Sequence, residues 1–175
     1  PPFGHGGEAA LNCMMHGHGG FESNAQSIRL LARLESHTPG FGLNLTRRAM
    51  LGVLKYPASY SSLCRKSPPV PKNPSAGRSF QRREWVPPKC YMDGEQEILD
   101  WLLEPFSGND REFLGSHSDP SESRHGKTQH QSLDTSILDF ADDVAYGVHD
   151  LEDAVALRLF TREHWCEVQS SLDAD

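Results

Sequence analysis

Two carboxylates and a phenol recur at intervals of four residues towards the end of the chain. Asp142, Tyr146 and Asp150 share one stripe of a helix, because a helix has about 3.6 residues per turn. Acids on a mostly apolar helix are costly to bury unless a cation or hydrogen-bond donors compensate them. A hard metal ion, bound by carboxylate oxygens and imidazole nitrogens, would do so. An acidic face open to solvent is the alternative interpretation.

A histidine and a glutamate lie three residues apart in the opening segment PPFGHGGE. If a helix begins there, His5 and Glu8 face the same way. An imidazole beside a carboxylate is suited to proton transfer near neutral pH. The same spacing also fits an ordinary surface pair, and the sequence alone leaves both interpretations open.

Two further segments carry side chains that could contact a nucleotide. In FESNAQ, Asn24 could bind a sugar hydroxyl or a phosphate, or belong to a helix cap. In LKYP, Lys55 and Tyr56 place a cation and a phenol at one point, suited to a phosphate and a ring. A lysine at the C-terminal end of a helix is also favourable through the helix dipole alone.

The apolar spacing predicts that helices position these side chains, and the fold class is all-α. We find no convincing strand pair and no internal repeat. Five helical stretches are predicted. Two lie within 5–35 and are broken by HGHGG, and a third covers 43–54. An amphipathic helix covers 96–106, with Ile98, Trp101, Leu102 and Phe106 inward, and a long helix covers 136–160 with its apolar residues packed. The proline-rich segment 61–88 is predicted to be a loop, and the polar segment 107–131 an exposed, mobile insertion.

The charge of the chain is unevenly distributed. The net charge is −7, yet residues 47–89 hold ten basic side chains and one acidic side chain. This pattern indicates an anion bound locally rather than general adhesion to nucleic acid, with a solvated basic loop as the alternative.

The composition excludes several classes of protein. No apolar run approaches the roughly 18 residues of a membrane-spanning helix, and the opening PPFGH does not resemble a signal peptide. The four cysteines form no CxxC pair, which excludes a zinc ribbon and favours reduced thiols in a cytoplasmic protein. Because no initiator Met is present, we expect this chain to be a piece of a larger helical protein.

Four blocks, taken together, are far more specific than any single motif. PPFGHGGEAALN, GFESNAQSIRLLARLE, GLNLTRRAMLGVLKYP and DFADDVAYGVHDLEDA occur in this order. They resemble the deoxynucleoside triphosphate triphosphohydrolases, the dGTPase-like branch of the HD-domain phosphohydrolase superfamily, over about residues 1–57 and 84–160. The resemblance implies that 1–175 is a partial HD-type helical domain of a homo-oligomer. It also implies metal-dependent hydrolysis of a dNTP, such as dGTP, to deoxynucleoside and tripolyphosphate.

The resemblance also implies a role for each candidate residue. Asp142 would bind a divalent metal (Mg, Mn or Fe), together with an upstream His and a His-Asp pair that the family places before PPFGH. His5 and Glu8 would form the catalytic pair, with His5 either protonating the departing 5′-oxygen or orienting the attacking water. The implied substrate contacts are Asn24, Lys55, Tyr56, Lys89, Tyr146 and Asp150.

Two other functions fit parts of this pattern. One is a non-catalytic HD-like nucleotide sensor or regulatory module, whose basic stretch could contact single-stranded nucleic acid. The other is an HD enzyme acting on other phosphoesters, such as nucleoside monophosphates, against which the FESNAQ and LKYP blocks argue. No segment indicates which base or which metal is preferred.

Overall fold

The structure, a computed structural model, describes residues 3–69 and 81–172. In these ranges the regular structure is helical, and β-pairing is limited to isolated bridges such as His117 with Thr128. The all-α prediction is therefore confirmed. The chain divides into two compact units, Pro1–Ser136 and Ile137–Asp175.

Eight α-helices occur in the described part of the chain, with three short helical turns between them. The helices are α1 (Gly4–Met14), α2 (Ser23–Arg29), α3 (Arg47–Val53), α4 (Tyr60–Leu63), α5 (Gln96–Leu103), α6 (Gly108–Gly115), α7 (Leu133–Ala156) and α8 (Arg162–Leu172). The short turns are a π-helix (Leu30–Leu34) that continues α2 and two 3₁₀ turns (Arg82–Glu84 and Asp93–Glu95).

Helix α3 begins later than the apolar pattern predicts. Asn44 has a left-handed backbone with φ of 51°, which no helix interior adopts. Thr46 then caps α3, its hydroxyl accepting a hydrogen bond from the Ala49 N–H at 3.3 Å. Thr46 is therefore the N-cap residue of α3.

The main core of the first unit lies between α2, α3 and α5. Its buried members are Ile28, Met50, Leu51, Leu54, Tyr91, Leu99, Leu102 and Leu103. Ile98 and Phe106 pack against this core while partly buried, as their predicted inward positions require.

Trp101 differs from its predicted inward orientation. Its side chain is 42% exposed, and the guanidinium of Arg47 lies 4.8 Å from the ring centroid. This cation–π contact stabilises the indole at the surface. Trp101 is therefore not a core residue.

The segments predicted to be loops contain ordered, buried parts. Within 61–88, Leu63, Pro87 and Pro88 are buried, while residues 70–80 of that segment lie outside the described residues. The segment 107–131 contains α6, and its Gly126 N–H donates to the Leu63 carbonyl at 2.8 Å. Backbone groups paired in this way hold a segment against the body of the unit.

Helix α7 confirms the predicted long helix, but its apolar residues differ from the packed arrangement predicted. Phe140 is 71% exposed, and Val144 and Val148 are each 51% exposed. Up to residue 172, where the described part of the second unit ends, its helices are α8 and most of α7, and two helices offer little surface against which to bury an apolar stripe. No helix in the described ranges is both long enough and apolar enough to cross a membrane.

Gly20, in the turn between α1 and α2, lies so close to the side chain of Tyr60 that only glycine fits there. Its φ is +74°, and a Cβ there would overlap the ring of Tyr60, whose hydroxyl donates to Oδ1 of Asn12 at 3.1 Å. We expect Gly20→Ala to lower the free energy of unfolding by about 2–4 kcal/mol, from backbone strain plus overpacking. Gly19→Ala, with φ of +91° but open space around it, should lose only about 1 kcal/mol. Urea unfolding of both variants measures the difference, and equal losses would contradict this packing.

Candidate functional site

The predicted pair of His5 and Glu8 forms on the first turns of α1. Nδ1 of His5 lies 3.2 Å from Oε2 of Glu8. The His5 side chain is 83% exposed, whereas that of Glu8 is 2% exposed. The imidazole of His5 is therefore open to solvent, while the carboxylate that contacts it is buried. The two residues are not a simple surface pair.

Glu8 is held as a carboxylate by several donors. Its Oε1 accepts hydrogen bonds from the Ser23 N–H at 3.1 Å and from the Ser23 hydroxyl at 2.6 Å, and Nζ of Lys89 lies 3.3 Å away. Burial acts to raise the pKa of Glu8, but the bonds from Ser23, then the His5 bond and the Lys89 charge, outweigh it and lower the pKa to about 2. Glu8 is thus ionised throughout the physiological pH range.

Lys89 connects Glu8 to a second buried carboxylate, Glu22. Nζ of Lys89 lies 2.8 Å from Oε1 of Glu22, and the side-chain amide of Asn24 donates to the same oxygen at 2.8 Å. Burial acts to lower the pKa of Lys89, but its hydrogen bond and charge interaction with Glu22, and then with Glu8, raise it overall. Lys89 is therefore a charged ammonium between two carboxylates.

The structure brings together four of the predicted site residues, His5, Glu8, Asn24 and Lys89, through the shared contacts of Glu8 and Glu22. Glu22 and Ser23 also belong to this cluster, although no sequence pattern had indicated them. An available signal was the position of Glu22 just before SNAQ, since an acid there can cap a helix. It does cap α2, accepting from the Ala25 N–H at 2.7 Å.

The lowered pKa of Glu8 predicts a specific loss of stability in acid. Because the pKa falls from 4.5 to about 2 on folding, this stabilisation is complete above pH 4.5 and is lost as the pH falls towards 2. We expect the free energy of unfolding of Glu8→Gln to fall less steeply between about pH 5 and 3 than that of the wild type. Urea unfolding at several pH values measures both slopes, with Glu112→Gln, at an exposed position, as the control. Equal slopes for wild type and Glu8→Gln would contradict the assignment.

A cleft of about 860 Å³ opens beside this cluster and is lined by Lys89 and Tyr56. Loop 86–89 and the segment 118–128 form much of its walls. Its lining contains five permanent cations and two acids: Arg65, Arg83, Lys89, Arg124 and Lys127, with Glu84 and Asp119. A cleft with this excess of positive charge attracts an anion with several charges.

The remaining candidates occupy two places. Lys55 precedes Tyr56 just after α3, and its N–H donates to the Val53 carbonyl at 2.9 Å. Asp142, Tyr146 and Asp150 lie on α7 within the second unit, where helical spacing places them on one stripe. Their predicted roles stay predictions.

The metal implied by the resemblance needs a set of converging ligands. Among residues 3–69 and 81–172, no three His, Cys, Asp or Glu side chains come together as a metal site requires. The donors in these ranges do not by themselves fit a complete metal site. The assignment of Asp142 as a ligand stays a prediction.

No protein-family model matches the chain. Relatives of the chain match nearly its whole length and carry one name. A protein from Shewanella sediminis (strain HAW-EB3) is 52% identical to the chain over 94% of its length. A protein from Vibrio parahaemolyticus (serotype O3:K6, strain RIMD 2210633) is 46% identical over 100% of the chain. A protein from Vibrio cholerae (serotype O1, strain ATCC 39541) is 48% identical over 98% of it. Each is named deoxyguanosinetriphosphate triphosphohydrolase-like protein.

These relatives confirm the resemblance that the four sequence blocks indicate. The chain is homologous to a segment of the deoxyguanosinetriphosphate triphosphohydrolase-like proteins. It spans 37–40% of the length of the relatives it matches. The activity, substrates and partners of the whole protein are therefore matters for proposal.

Proposed function

We propose that this chain supplies part of the active site of a dNTP triphosphohydrolase, which converts a substrate such as dGTP to deoxynucleoside and tripolyphosphate. One observation carries the proposal: an exposed imidazole on a buried, ionised carboxylate, His5 on Glu8, adjoins the cationic cleft through Lys89. The name shared by the relatives supports the same reaction. The HD arrangement and a homo-oligomeric state are parts of this proposal.

His5 acts on the departing group in this reaction. Attack of a water oxygen on the α-phosphorus breaks the bond from phosphorus to the 5′-oxygen, which must gain a proton to leave as a hydroxyl. Glu8 engages Nδ1 of His5, so Nε2 is the nitrogen that faces the substrate. His5 donates the proton to the 5′-oxygen, and Glu8 holds the ring in place for that transfer.

The triphosphate tail lies in the cationic cleft. Guanidinium groups bind phosphate oxygens through paired hydrogen bonds, and Arg65, Arg83 and Arg124 line the cleft with Lys89. Tyr56, in the same lining, offers a ring to the nucleoside. Asn24, Lys55, Tyr146 and Asp150 are proposed as further substrate contacts, and Asp142 as a metal ligand.

The cleft predicts an effect on substrate binding rather than on chemistry. We expect Arg124→Ala to raise KM for dGTP about tenfold with kcat changed less than about threefold, since it removes one charged phosphate contact. Steady-state kinetics on the full-length protein measure both constants. Arg162→Ala, an exposed arginine that does not line the cleft, is the matched control. Equal KM values for the two variants would place the triphosphate elsewhere.

Product identification tests the proposed function itself. Incubation of the full-length protein with dGTP, followed by anion-exchange chromatography, is expected to give deoxyguanosine and tripolyphosphate in equal amounts. Tight binding of dGTP without any product would instead identify a nucleotide sensor. Release of dGMP and pyrophosphate would identify a different phosphohydrolase.

The cytoplasm is the location we propose. All four cysteines are free thiols, as expected in a reducing compartment. Contact of the basic stretch with single-stranded nucleic acid stays a prediction, and gel-shift titration with an oligonucleotide tests it.

A further inference from the structure

Glu22 is buried more completely than a helix cap requires. Its side chain is 0% exposed, and its two oxygens bind the Ala25 N–H, the Asn24 amide and the Lys89 ammonium. Three other helices are capped by neutral hydroxyls, those of Thr46, Ser59 and Ser107. Burying a charge is costly unless it is paired, and a neutral hydroxyl would cap the helix without that cost. A buried carboxylate at this position therefore indicates a role beyond capping.

Lys89 indicates what that role is, because it links Glu22 to the proposed catalytic pair. Nζ of Lys89 lies 2.8 Å from Oε1 of Glu22 and 3.3 Å from Oε1 of Glu8. The other oxygen of Glu8 contacts Nδ1 of His5 at 3.2 Å. A continuous chain of charged contacts therefore runs from Glu22 through Lys89 and Glu8 to His5.

The charged and titratable groups around this chain come from four places. Helix α1 provides His5 and Glu8, and the start of α2 provides Glu22. The 3₁₀ turn packed on α1 carries Arg82, whose Cδ lies 3.9 Å from the Cβ position of Gly6. Next to Lys89 lies Cys90, whose pKa is raised by burial and then by the charge of Glu22, so it is a neutral thiol.

We propose that Glu22 is a positioning residue for His5, acting through Lys89 and Glu8. The negative charge of Glu22 anchors the ammonium of Lys89 against Glu8, and so sets how much negative charge Glu8 presents to the imidazole. Without Glu22, the full positive charge of Lys89 would act on Glu8 and His5. The inference rests on the proposed function of His5 and adds a residue that neither the motif blocks nor the names of the relatives assign.

The test compares pH profiles of matched charge variants in the full-length protein. Glu22→Gln keeps an oxygen for the Ala25 N–H but removes a negative charge. The alkaline limb of kcat/KM, on which His5 loses the proton that it must donate, should therefore move to lower pH by about one unit. Lys89→Met removes a positive charge and should move the limb to higher pH by a similar amount. The double variant restores the net charge and should return the limb to within about 0.3 units of the wild type.

A second measurement separates this inference from the proposed function. The NMR titration of the His5 ring protons should move in the same directions as the alkaline limb, whether or not the protein turns over dGTP. Glu95→Gln is the control, because Glu95 is also 2% exposed and paired with Arg33 at 2.7 Å, but has no contact in this chain of charges. The His5 titration in Glu95→Gln should match that in the wild type.

Glu22→Gln decides the matter alone if Lys89→Met does not fold. An unshifted His5 titration in folded Glu22→Gln, checked by circular dichroism, would reduce Glu22 to a helix cap and overturn the inference. A shift of equal size in Glu95→Gln would also overturn it, because the effect would then be general to the fold. If the wild-type protein does not hydrolyse dGTP but the His5 titration shifts as expected in the variants, only the proposed function is contradicted.

Discussion

Replacing His5 with alanine is expected to lower kcat for dGTP hydrolysis by about 100-fold or more, with KM changed only a few-fold. The imidazole acts on the departing oxygen in the transition state, so its loss removes an interaction that the bound substrate does not yet make. His5 is 83% exposed, so the substitution should leave the fold intact. Steady-state kinetics on the full-length protein, with circular dichroism, measure the effect.

A matched control exists within the same chain. His149 and Glu152 form the same pair on α7, with Nδ1 and Oε2 also 3.2 Å apart, but both side chains are exposed. His149→Ala should keep kcat within about twofold of the wild type, because exposed pairs of this kind contribute little. If His5→Ala and His149→Ala behave alike, the buried carboxylate behind His5 has no catalytic meaning.

Asp142→Ala is expected to weaken metal binding by about 10- to 100-fold or more, because even supporting residues of a metal site have effects of that size. The prediction follows from the resemblance, which implies Asp142 as a metal ligand, with Tyr146 and Asp150 as substrate contacts four and eight residues later. The relatives are longer than the chain, which spans 37–40% of them, and we propose that further ligands lie in that additional length. Elemental analysis of the full-length protein after dialysis measures the bound metal.

The neighbouring acid provides the control for this experiment. Asp143 follows Asp142 on α7 and is turned by about 100° around the helix axis. Asp143→Ala should therefore retain the metal content of the wild type. Unchanged metal in Asp142→Ala, or equal loss in both variants, would make the ligand assignment wrong.

The parts of the site that sequence could predict are local ones. His5 and Glu8 are three residues apart, and helical periodicity alone places them together. The contact of Lys89 with Glu8 spans 81 positions, and no periodicity links residues so distant. Its membership in the site was available only through the resemblance.

Glu22 escaped prediction because its role depends on tertiary burial. In FESNAQ, the side-chain amide of Asn24 indicated a possible substrate contact, whereas Glu22 is an acid in a position that is common before a helix. Only the approach of Lys89 turns this cap into part of a charged network. A pattern within one segment carries no information on such a partner.

Surface contacts explain the elements whose prediction differed from the structure. The apolar pattern of 96–106 favoured an inward Trp101, but the guanidinium of Arg47 stabilises that ring at the surface. The polar composition of 107–131 favoured a loop, yet α6 forms there behind the cap of Ser107. Residues of 118–128, in the segment that composition predicted to be an exposed, mobile insertion, line part of the cationic cleft.

Hydrolysis of dGTP in ¹⁸O-labelled water, followed by mass spectrometry of the products, identifies the bond that breaks and the atom that water attacks. Attack on the α-phosphorus with a proton delivered by His5 to the 5′-oxygen predicts one ¹⁸O atom in tripolyphosphate and none in deoxyguanosine. Label in the deoxyguanosine hydroxyl would show that the carbon–oxygen bond breaks instead, and label in dGMP or pyrophosphate would show cleavage at another position. Either result would contradict the role given to His5 and Glu8.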